Sequence, residues 1–403
     1  MADPLHVGLL WHSVNSGNLG VGALTVANLA LARAAAGRVG RDIRFSIIGP
    51  HDRGPTYLAG DDIVAMLRTD RRTILTSPAY WRHLATLDCL LDIGGGDSFT
   101  DIYGAKRFAW LWITRMMAIA RRRPLLLSPQ TIGPFHHPAF RWLAATAMRR
   151  MDGVVTRDPL STAAARALAP DVPLVEAIDV AFALPYAPAP RQGGPLRVGI
   201  NISGLLFNGG YRSGNAFGLG YDYATVMRSL VATLSQQSDI RVELICHVNA
   251  PDLPADDDGR IADAMARAYP GVVRVPDFAS PGAAKSYISG LDLLVAGRMH
   301  ACIAAFSAGV PVIPIAYSRK FAGLFSGALG YHHIVTPDVG ANPEALGRLL
   351  GLVSRRNELA HDVAAGQVNV ARRLAAYESV LERLFMHGPS HSQQAAATAG
   401  NHG

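Results

Sequence analysis

The sequence predicts a two-domain α/β protein in which each domain is a doubly wound, Rossmann-like parallel sheet. Short runs that are apolar on both faces alternate with helical patterns through most of the 403 residues. The alternation pauses once, at residues 186–195, which are rich in Pro and Gly and show no periodicity. Both halves also begin alike, with an apolar strand that runs into a loop rich in Gly, Asn and Ser (6–20 and 197–210). Two similar domains facing a central cleft therefore follow from the pattern.

The predicted elements can be placed from these patterns. In the first half we predict strands at 6–14, 43–49, 72–77, 87–95, 124–130 and 153–158, with helices between them that include 23–38 and 105–123. In the second half the predicted strands lie at 196–204, 240–248, 272–277, 291–297, 310–318 and 332–337, followed by a helical region at 343–386. Residues 1–185 then form the N-terminal domain, 186–195 the linker, 196–386 the C-terminal domain and 387–403 a disordered tail.

Composition limits the partners and the compartment. The net charge of +7 suits an anionic ligand, and no aromatic-basic platform of the kind that stacks nucleic-acid bases is present. The three cysteines lie far apart without disulfide or metal spacing, which indicates buried thiols in a reducing compartment and no metal site. We read no apolar run as long enough to span a bilayer and no secretory signal in the first ten residues, so we expect a cytoplasmic protein.

One helical segment leaves a membrane alternative open. Residues 108–123, FAWLWITRMMAIARRR, combine a large apolar face with terminal arginines. Such a helix can lie on the inner face of a membrane as a weak peripheral contact. The other interpretation, which we prefer, is that the apolar face covers the first sheet.

Loops that follow strands in the first half offer groups that could bind sugar hydroxyls, because ligands bind open α/β sheets at the carboxyl ends of their strands. In DIGGGDSFTD (92–101), three glycines let the backbone approach a ligand, and polar side chains follow them. The alternative interpretation of these polar groups is a helix cap. The candidate ligand-binding residues of the first half are Asn18, Gly95, Gly96, Asp97, Asp101 and Gln130.

Two further features of the first half have structural alternatives. The loop around Asn18 could receive an anion on its backbone N–H groups, or it could be an ordinary strand-to-helix turn. Arg157 and Asp158 precede a helix that starts at Pro159, and we interpret them as a structural ion pair with a helix cap.

The stretch VAGRMHACIAAFSAG (295–309) is the main candidate for chemistry. A buried strand ends here and delivers Arg298 and His300 to the start of a helix. An arginine matches a carboxylate or phosphate with two donors, and a histidine beside a bound anion can act as a general acid. Arg319 and Lys320 follow the next strand and add positive charge, with a solvated basic rim as the alternative.

Two other segments of the second half have less specific patterns. The glycine-dense segment 205–222 could close over a ligand with Arg212, or it could be an ordinary loop. His247 ends a strand, where a single histidine is usually a satisfied polar group.

Several of these stretches together resemble one family. The sequences GNLG, DIGGGDSFTD, SPQTIGPF, TRDPLS, AIDVAFAL (177–184, read as a strand) and GRMHACIAAFSAGVPVIPIAYSRK are similar, in order and spacing, to polysaccharide pyruvyl transferases over roughly Val7 to Phe325. The resemblance implies a GT-B-like pair of Rossmann-type domains. It also implies transfer of pyruvate from phosphoenolpyruvate to a sugar as a ketal, with no required metal or cofactor.

The resemblance also implies roles for individual residues. Arg298 would hold the anionic groups of the donor, and His300 would be the acid or a phosphate ligand. Lys320 occupies the basic position of the family, with Arg319 and Arg212 as further donor-binding candidates. The first loop departs from the pattern, because many relatives carry an acidic residue where Val21 stands here.

The resemblance therefore implies a pyruvyltransferase that acts on a polysaccharide, a glycolipid or a lipid-linked precursor, with the candidate residues of the first half on the acceptor side. Phosphoenolpyruvate carries a carboxylate and a phosphate, and its site needs several cationic donors. One alternative is a GT-B glycosyltransferase that uses a nucleotide-sugar, but segment 310–325 contains no carboxylate to hold a ribose. A carbohydrate-binding relative without catalysis is the other alternative.

Overall fold

The computed structural model describes residues 3–52, 54–58, 60–70, 73–74, 77–96, 99–191, 193–210 and 214–387. These residues divide into two compact units. The first comprises the described residues of Met1–Asn15, Leu24–Val180 and Arg372–Gly403, and the second comprises those of Ser16–Ala23 and Ala181–Ala371.

The first unit contains a parallel sheet of seven strands in the order β3-β2-β1-β4-β5-β6-β7. Its strands are β1 (Leu5–Leu10), β2 (Ile43–Gly49), β3 (Ile63–Arg68), β4 (Cys89–Asp92), β5 (Leu125–Gln130), β6 (Gly153–Thr156) and β7 (Leu174–Glu176). The central strands β1, β4 and β5 are buried along their whole length, which explains why they are apolar on both faces.

The second unit contains a parallel sheet of five strands in the order β10-β9-β8-β11-β12. Its strands are β8 (Leu196–Asn201), β9 (Ile240–Leu244), β10 (Val273–Arg274), β11 (Leu293–Ala296) and β12 (Val312–Pro314). Counted from the first strand of each unit, both sheets begin with the same winding order. The two Rossmann-like sheets expected from the similar beginnings of the two halves are therefore confirmed.

Helices connect the strands in both units. In chain order they are α1 (Leu19–Arg38), α2 (Pro78–Leu84), α3 (Ala105–Ala120), α4 (Pro138–Met148), α5 (Pro159–Leu168), α6 (Gly204–Phe207), α7 (Tyr223–Ser235), α8 (Asp258–Ala268), α9 (Pro281–Ile288), α10 (Met299–Ser307), α11 (Arg319–Phe321), α12 (Asn342–Ser354) and α13 (Arg356–His387). Short 3₁₀ helices lie at Gly94–Gly96 and Val180–Ala183, and a π-helix lies at Ala322–Ala328.

Some strands differ from the prediction. Strand β3 was not expected, and its alternately buried and exposed residues suit an edge strand rather than a buried one. The strand predicted at 72–77 is wrong for 73–74, which are helical, and its residues 72, 75 and 76 lie outside the described part. The strand predicted at 332–337 is a single bridge between Val335 and Ile315. The stretch 177–184 contains the 3₁₀ turn instead of a strand.

The segment predicted as a linker packs onto the second unit. The boundary between the units lies after Val180, ahead of the predicted linker at 186–195. Lys285 donates hydrogen bonds to the carbonyls of Phe182 (3.2 Å) and Leu184 (3.0 Å). Its buried ammonium is thereby paired with backbone oxygens just ahead of the predicted linker. Within that segment, the amides of Ala187 and Ala189 donate to Ser286 Oγ (3.0 Å) and Ser289 Oγ (2.8 Å), so it has a fixed place in the second unit.

The end of the last helix belongs to the first unit, which corrects its assignment to the C-terminal domain. The buried Tyr377 hydroxyl donates to Asn28 Oδ1 (2.7 Å) and accepts from Ser128 Oγ (2.9 Å). Asn28 Nδ2 in turn donates to His12 Nε2 (3.0 Å), and His12 Nδ1 donates to the carbonyl of Leu10 (3.0 Å). A buried phenol needs such partners, and it finds them only on elements of the first unit.

The two apolar helices α1 and α3 pack within the protein core. Helix α1 is long and apolar enough to cross a membrane by length and composition, contrary to the sequence-based expectation, but 67% of its most apolar window is buried. On α3, Phe108, Leu111 and Ala118 are buried in the core of the first unit. That placement supports the interpretation in which the apolar face of this helix covers the sheet.

We expect Tyr377→Phe to lower the unfolding free energy of the first unit by about 1–3 kcal/mol, because it leaves Asn28 Oδ1 without its donor. All five tryptophans lie in the first unit, so their fluorescence during urea unfolding reports on that unit. The same substitution at the exposed Tyr103 is the control and should change stability by less than about 0.5 kcal/mol. Equal effects of the two substitutions would contradict the proposed anchoring of the last helix.

His12 should make the first unit sensitive to acid. Burial lowers the pKa of His12 from 6.5 to about 4, although carbonyl hydrogen bonds oppose the shift. Below pH 6.5, His12 is protonated in the unfolded chain but stays neutral in the folded unit. The unfolding free energy therefore falls by about 1.4 kcal/mol per pH unit until the pH reaches about 4. His12→Gln should reduce that slope, measured by urea unfolding between pH 6 and 4.5. An unchanged slope would show that His12 is not the group responsible.

Candidate functional site

A buried carboxylate, Asp258, joins the strand ends at the carboxyl edge of the second sheet. One oxygen, Oδ1, accepts hydrogen bonds from the Gly204 amide (2.9 Å) and from Arg298 Nε (3.1 Å) and Nη2 (2.7 Å). The other oxygen, Oδ2, accepts from Asn201 Nδ2 (3.0 Å) and from the amide of His247 (3.2 Å). The donors follow β8, β9 and β11, so a single carboxylate fixes three loops at once.

Arg298 is part of this buried network. Its Nη2 also contacts Asp256 Oδ1 at 2.7 Å, and its side chain is 10% exposed. Burial disfavours the charged guanidinium, but Asp258 and Asp256 outweigh burial and raise the pKa of Arg298. We expected Arg298 to hold a bound anion with two donors, but Nε and Nη2 donate to internal carboxylates instead.

Helix α10 begins directly after Arg298 without a side-chain cap among the described residues. Seven other helices have one, from Ser77, His137, Asp158, Ser203, Asp222, Asp257 and Ser280. An arginine has no acceptor atom and cannot cap, and this one points back to Asp258. The positive end of the α10 dipole is therefore not neutralised by a capping side chain and can attract an anion.

His300 lies in the first turn of α10 and is half-buried. Its imidazole packs against the backbone of Gly20, where a Cβ atom in place of the glycine hydrogen would lie 2.4 Å from His300 Nδ1. The residues around Gly20 belong to the second unit although they come from the beginning of the chain. A histidine at a helix N-terminus, fixed by a backbone contact, has the placement expected for a phosphate ligand or a proton donor.

The loop around Asn18 is a tight turn, which confirms the structural alternative. Asn18 Oδ1 accepts from the Gly20 amide (3.0 Å), and the Asn18 carbonyl accepts from the Val21 amide (3.0 Å). The Leu19 amide donates to the carbonyl of His247 (3.0 Å). Because these amides already have acceptors, the expectation that they would receive an anion is wrong.

His247 takes part in the same network through its backbone amide, and its imidazole is buried. Burial is the main cause that lowers the pKa of His247 to about 3, and the nearby charges of His300 and Arg298 add to it while Asp258 opposes it. His247 is therefore neutral near pH 7.

The remaining donor-binding candidates follow the neighbouring strand. Strands β11 and β12 pair in register, and Ala296 lies opposite Pro314. Arg319 and Lys320 follow β12 in α11, where Arg319 is exposed and Lys320 is half-buried. Arg212 lies outside the described residues.

A cavity of 660 Å³ lies in the second unit. Its lining includes Phe207, Tyr221, Asp222 and Asn342. Asp222 caps α7, and Asn342 Oδ1 accepts from the Asp222 amide at 2.7 Å. Asp222 and Asn342 therefore hold the start of α7.

In the first unit, the three glycines after β4 form a left-handed turn. Gly94, Gly95 and Gly96 have φ angles of 64°, 70° and 82°, a region that side chains disfavour. The turn is fixed by Asp92, whose Oδ1 accepts from the Gly94 amide (2.7 Å) and whose Oδ2 pairs with the buried Arg115 (2.5 Å). The glycines are thus required by backbone geometry.

The other acceptor-binding candidates have structural contacts of their own. Gln130 Nε2 donates to the Asp92 carbonyl (3.1 Å). Gln130 Oε1 packs close to Gly94, where an added Cβ atom would lie 2.6 Å from that oxygen. Asp101 Oδ2 accepts from the amides of His136 and His137, both at 2.8 Å. Asp101 therefore holds a loop, which corrects its assignment as a sugar ligand through that oxygen. Asp97 lies outside the described residues.

Arg157 and Asp158 are structural, as predicted, but they do not pair with each other. Arg157 Nη1 binds Asp179 (2.6 Å), whereas Asp158 Oδ1 caps α5 by accepting from the Ser161 amide (2.8 Å). Asp179 and Asp258 are among the residues that sequence reasoning missed. Three consecutive aspartates before Gly259 were a signal for Asp258.

We expect Asp258→Asn to destabilise the carboxyl edge of the second sheet by about 3–5 kcal/mol, because it removes one of the charges that compensate the buried Arg298. Native-state hydrogen exchange of β8, β9 and β11 measures this change. The control is Asp257→Asn, which keeps a good cap on α8 and should cost less than about 0.5 kcal/mol. Similar protection in both variants would mean that Asp258 does not organise this edge.

Comparisons with known proteins agree with this fold. The structure is similar to that of HepE from Anabaena in complex with UDP-glucose, with a TM-score of 0.54 and 10% identity over 94% of this chain and 98% of that one. It is also similar to the trehalose-6-phosphate synthase OtsA, with a TM-score of 0.56 and 10% identity over 95% and 99%. A UDP-forming trehalose-phosphate synthase from Burkholderia vietnamiensis is similar as well, with a TM-score of 0.55 and 10% identity over 97% of this chain and 99% of that one. Such low identities show the fold alone, and they confirm the predicted GT-B-like class.

The sequence itself matches one family. A search of curated proteins gives no match. The family model for polysaccharide pyruvyl transferases, however, matches residues 18–319, a range that includes the Asn18 turn, Asp258, Arg298 and His300. Since that range covers most of the 403 residues, the chain belongs to the polysaccharide pyruvyl transferase family.

Proposed function

We propose that this protein transfers pyruvate from phosphoenolpyruvate to a sugar of a polysaccharide, a glycolipid or a lipid-linked precursor, forming a cyclic ketal. Membership of the family supports pyruvyl transfer, and the donor and acceptor classes are our proposal. The observation that carries it is the start of α10, where His300 stands in the first turn of a helix that no described side chain caps. No metal and no cofactor other than the co-substrate is part of the proposal.

The donor binds at the carboxyl edge of the second sheet in this proposal. Its phosphate is placed at the N-terminus of α10, where the helix dipole and His300 favour an anion. Arg298 is offset by Asp256 and Asp258, so it contributes no net positive charge. Lys320 and Arg319 then supply the cations that a doubly acidic donor requires, and Arg212 is a further candidate.

His300 provides the proton in the proposed reaction. It protonates the methylene carbon of the donor, and a sugar hydroxyl adds to the neighbouring carbon as the double bond is lost. The bond between that carbon and the phosphate oxygen then breaks, and a second hydroxyl closes the ketal. The two hydroxyls lose two protons, of which one replaces the proton donated by His300 and the other leaves with the phosphate, so that charge and atoms balance.

The acceptor binds to the first unit in the same proposal. The turn at Gly95 and Gly96 exposes backbone to a sugar, and Asp97 and Gln130 are further candidates at this edge. Asn18 contributes through its turn rather than through a free amide. We further propose that the protein acts in the cytoplasm, which is supported by the three buried cysteines that are not in disulfides.

We expect His300→Gln to reduce phosphate release from phosphoenolpyruvate, in the presence of a glycan acceptor, by roughly 100-fold or more, because it removes the proton donor. Mass spectrometry of the glycan should show loss of the pyruvyl ketal in the same variant. His361→Gln, at an exposed position of α13, is the matched control and should retain activity. EDTA should leave the wild-type rate unchanged. Full phosphate release by His300→Gln would refute the role of His300, and no phosphate release by wild-type protein with any glycan tested would refute the reaction.

A further inference from the structure

We propose that residues Ser16–Ala23 are a positioning element for His300 and that Gly20 sets the orientation of its imidazole. This inference rests on the proposed function, because it assumes that the imidazole must be aimed at a substrate. Its structural part stands independently, since the contact between Gly20 and His300 can be tested without any substrate.

The positioning element is attached to the second unit by backbone hydrogen bonds. The Leu19 amide donates to the carbonyl of His247 (3.0 Å), and the Asn249 amide donates to the carbonyl of Gly17 (2.9 Å). Asn18 and Val248 thereby form an antiparallel bridge. The element is thus held by the loop after β9, although its sequence lies more than two hundred residues away.

Two glycines allow the close approach of this segment. A Cβ atom on Gly17 would lie 2.1 Å from the Asn249 carbonyl oxygen, which is a backbone atom and cannot turn aside. A Cβ atom on Gly20 would lie 2.4 Å from Nδ1, 2.7 Å from Cγ and 2.9 Å from Cβ of His300. Gly17 therefore lets the segment dock, and Gly20 makes room for the ring.

The imidazole of His300 is constrained both by its own backbone and by its contact with Gly20. His300 is held through its own backbone by α10, whose start is fixed by the hydrogen bonds that Arg298 donates to Asn201 and Asp258. The Gly20 backbone then occupies one side of the imidazole. Asn18 Oδ1 accepts from the Gly20 amide and stops that backbone from shifting. The side-chain rotamer of His300 is thus limited by a neighbour that has no side chain of its own.

Gly20→Ala tests the inference directly. The new methyl group overlaps the ring, so the imidazole must turn, and we expect kcat for phosphate release to fall on the order of 100-fold. The control is Gly37→Ala on the same helix, where an added Cβ meets nothing within 4 Å and activity should be unchanged. The pH profile of kcat should move in the Gly20 variant and not in the Gly37 variant.

Proton NMR of the histidine ring provides the readout that is independent of activity. The His300 resonance is assigned by its absence in His300→Gln, and it should shift in Gly20→Ala but not in Gly37→Ala. Asn18→Ala, which adds no atoms and only frees the Gly20 amide, should shift it in the same sense by a smaller amount. This variant keeps the test informative if Gly20→Ala does not fold.

The outcomes separate the two hypotheses. An unchanged His300 resonance in Asn18→Ala and in a folded Gly20→Ala overturns the positioning role, whatever the activity. Should the resonance shift while His300→Gln keeps full phosphate release, the contact is real but the catalytic role of His300 is wrong. A shift together with a lower kcat in Gly20→Ala supports the positioning role.

Discussion

The ion pair between Asp258 and Arg298 is the constraint on which the candidate site depends. Both groups are buried, and a buried charge without its partner is costly. The carboxylate also accepts backbone and amide donors from the ends of β8 and β9, so the pair cannot shift without moving several loops. Arg298 immediately precedes α10, and His300 is the second residue of that helix. Fixing Arg298 therefore also fixes the backbone of His300. The backbone that carries the imidazole is thus fixed by this ion pair.

The first unit repeats the same principle at its own sheet edge. Asp92 accepts from a glycine amide and pairs with Arg115, just as Asp258 accepts from the Gly204 amide and pairs with Arg298. In each unit, a carboxylate at the edge of the sheet thus fixes the backbone of a glycine by accepting a hydrogen bond from its amide. The difference lies in the arginine, because Arg115 comes from the middle of α3 whereas Arg298 stands at the start of α10. Only in the second arrangement does the arginine itself occupy the N-cap position of a helix.

Much of the fold could be predicted from the sequence, because buried parallel strands are apolar on both faces and glycine-rich loops follow them. The pattern failed for β3 and β7, which lie at the two edges of the first sheet and are too short or too exposed to be apolar throughout. It also failed for the two segments that cross between units, Ser16–Ala23 and the end of α13. Their assignment depends on long-range partners, such as those of Tyr377, that periodicity cannot reveal.

In the candidate site, too, the sequence predicts where a residue lies along the chain but not which distant residue it contacts. That Arg298 and His300 would stand at a strand end could be predicted, since strand and helix patterns meet there. The partner of Arg298 could not, because Asp258 lies forty residues earlier on another helix. This matters for the mechanism, because two carboxylates cancel the charge that an isolated Arg298 would offer to an anion. In the proposed reaction, the attraction of a doubly acidic donor is therefore assigned to the dipole of α10 and to the basic residues after β12. The proposal gives Arg298 a role in positioning rather than in charge.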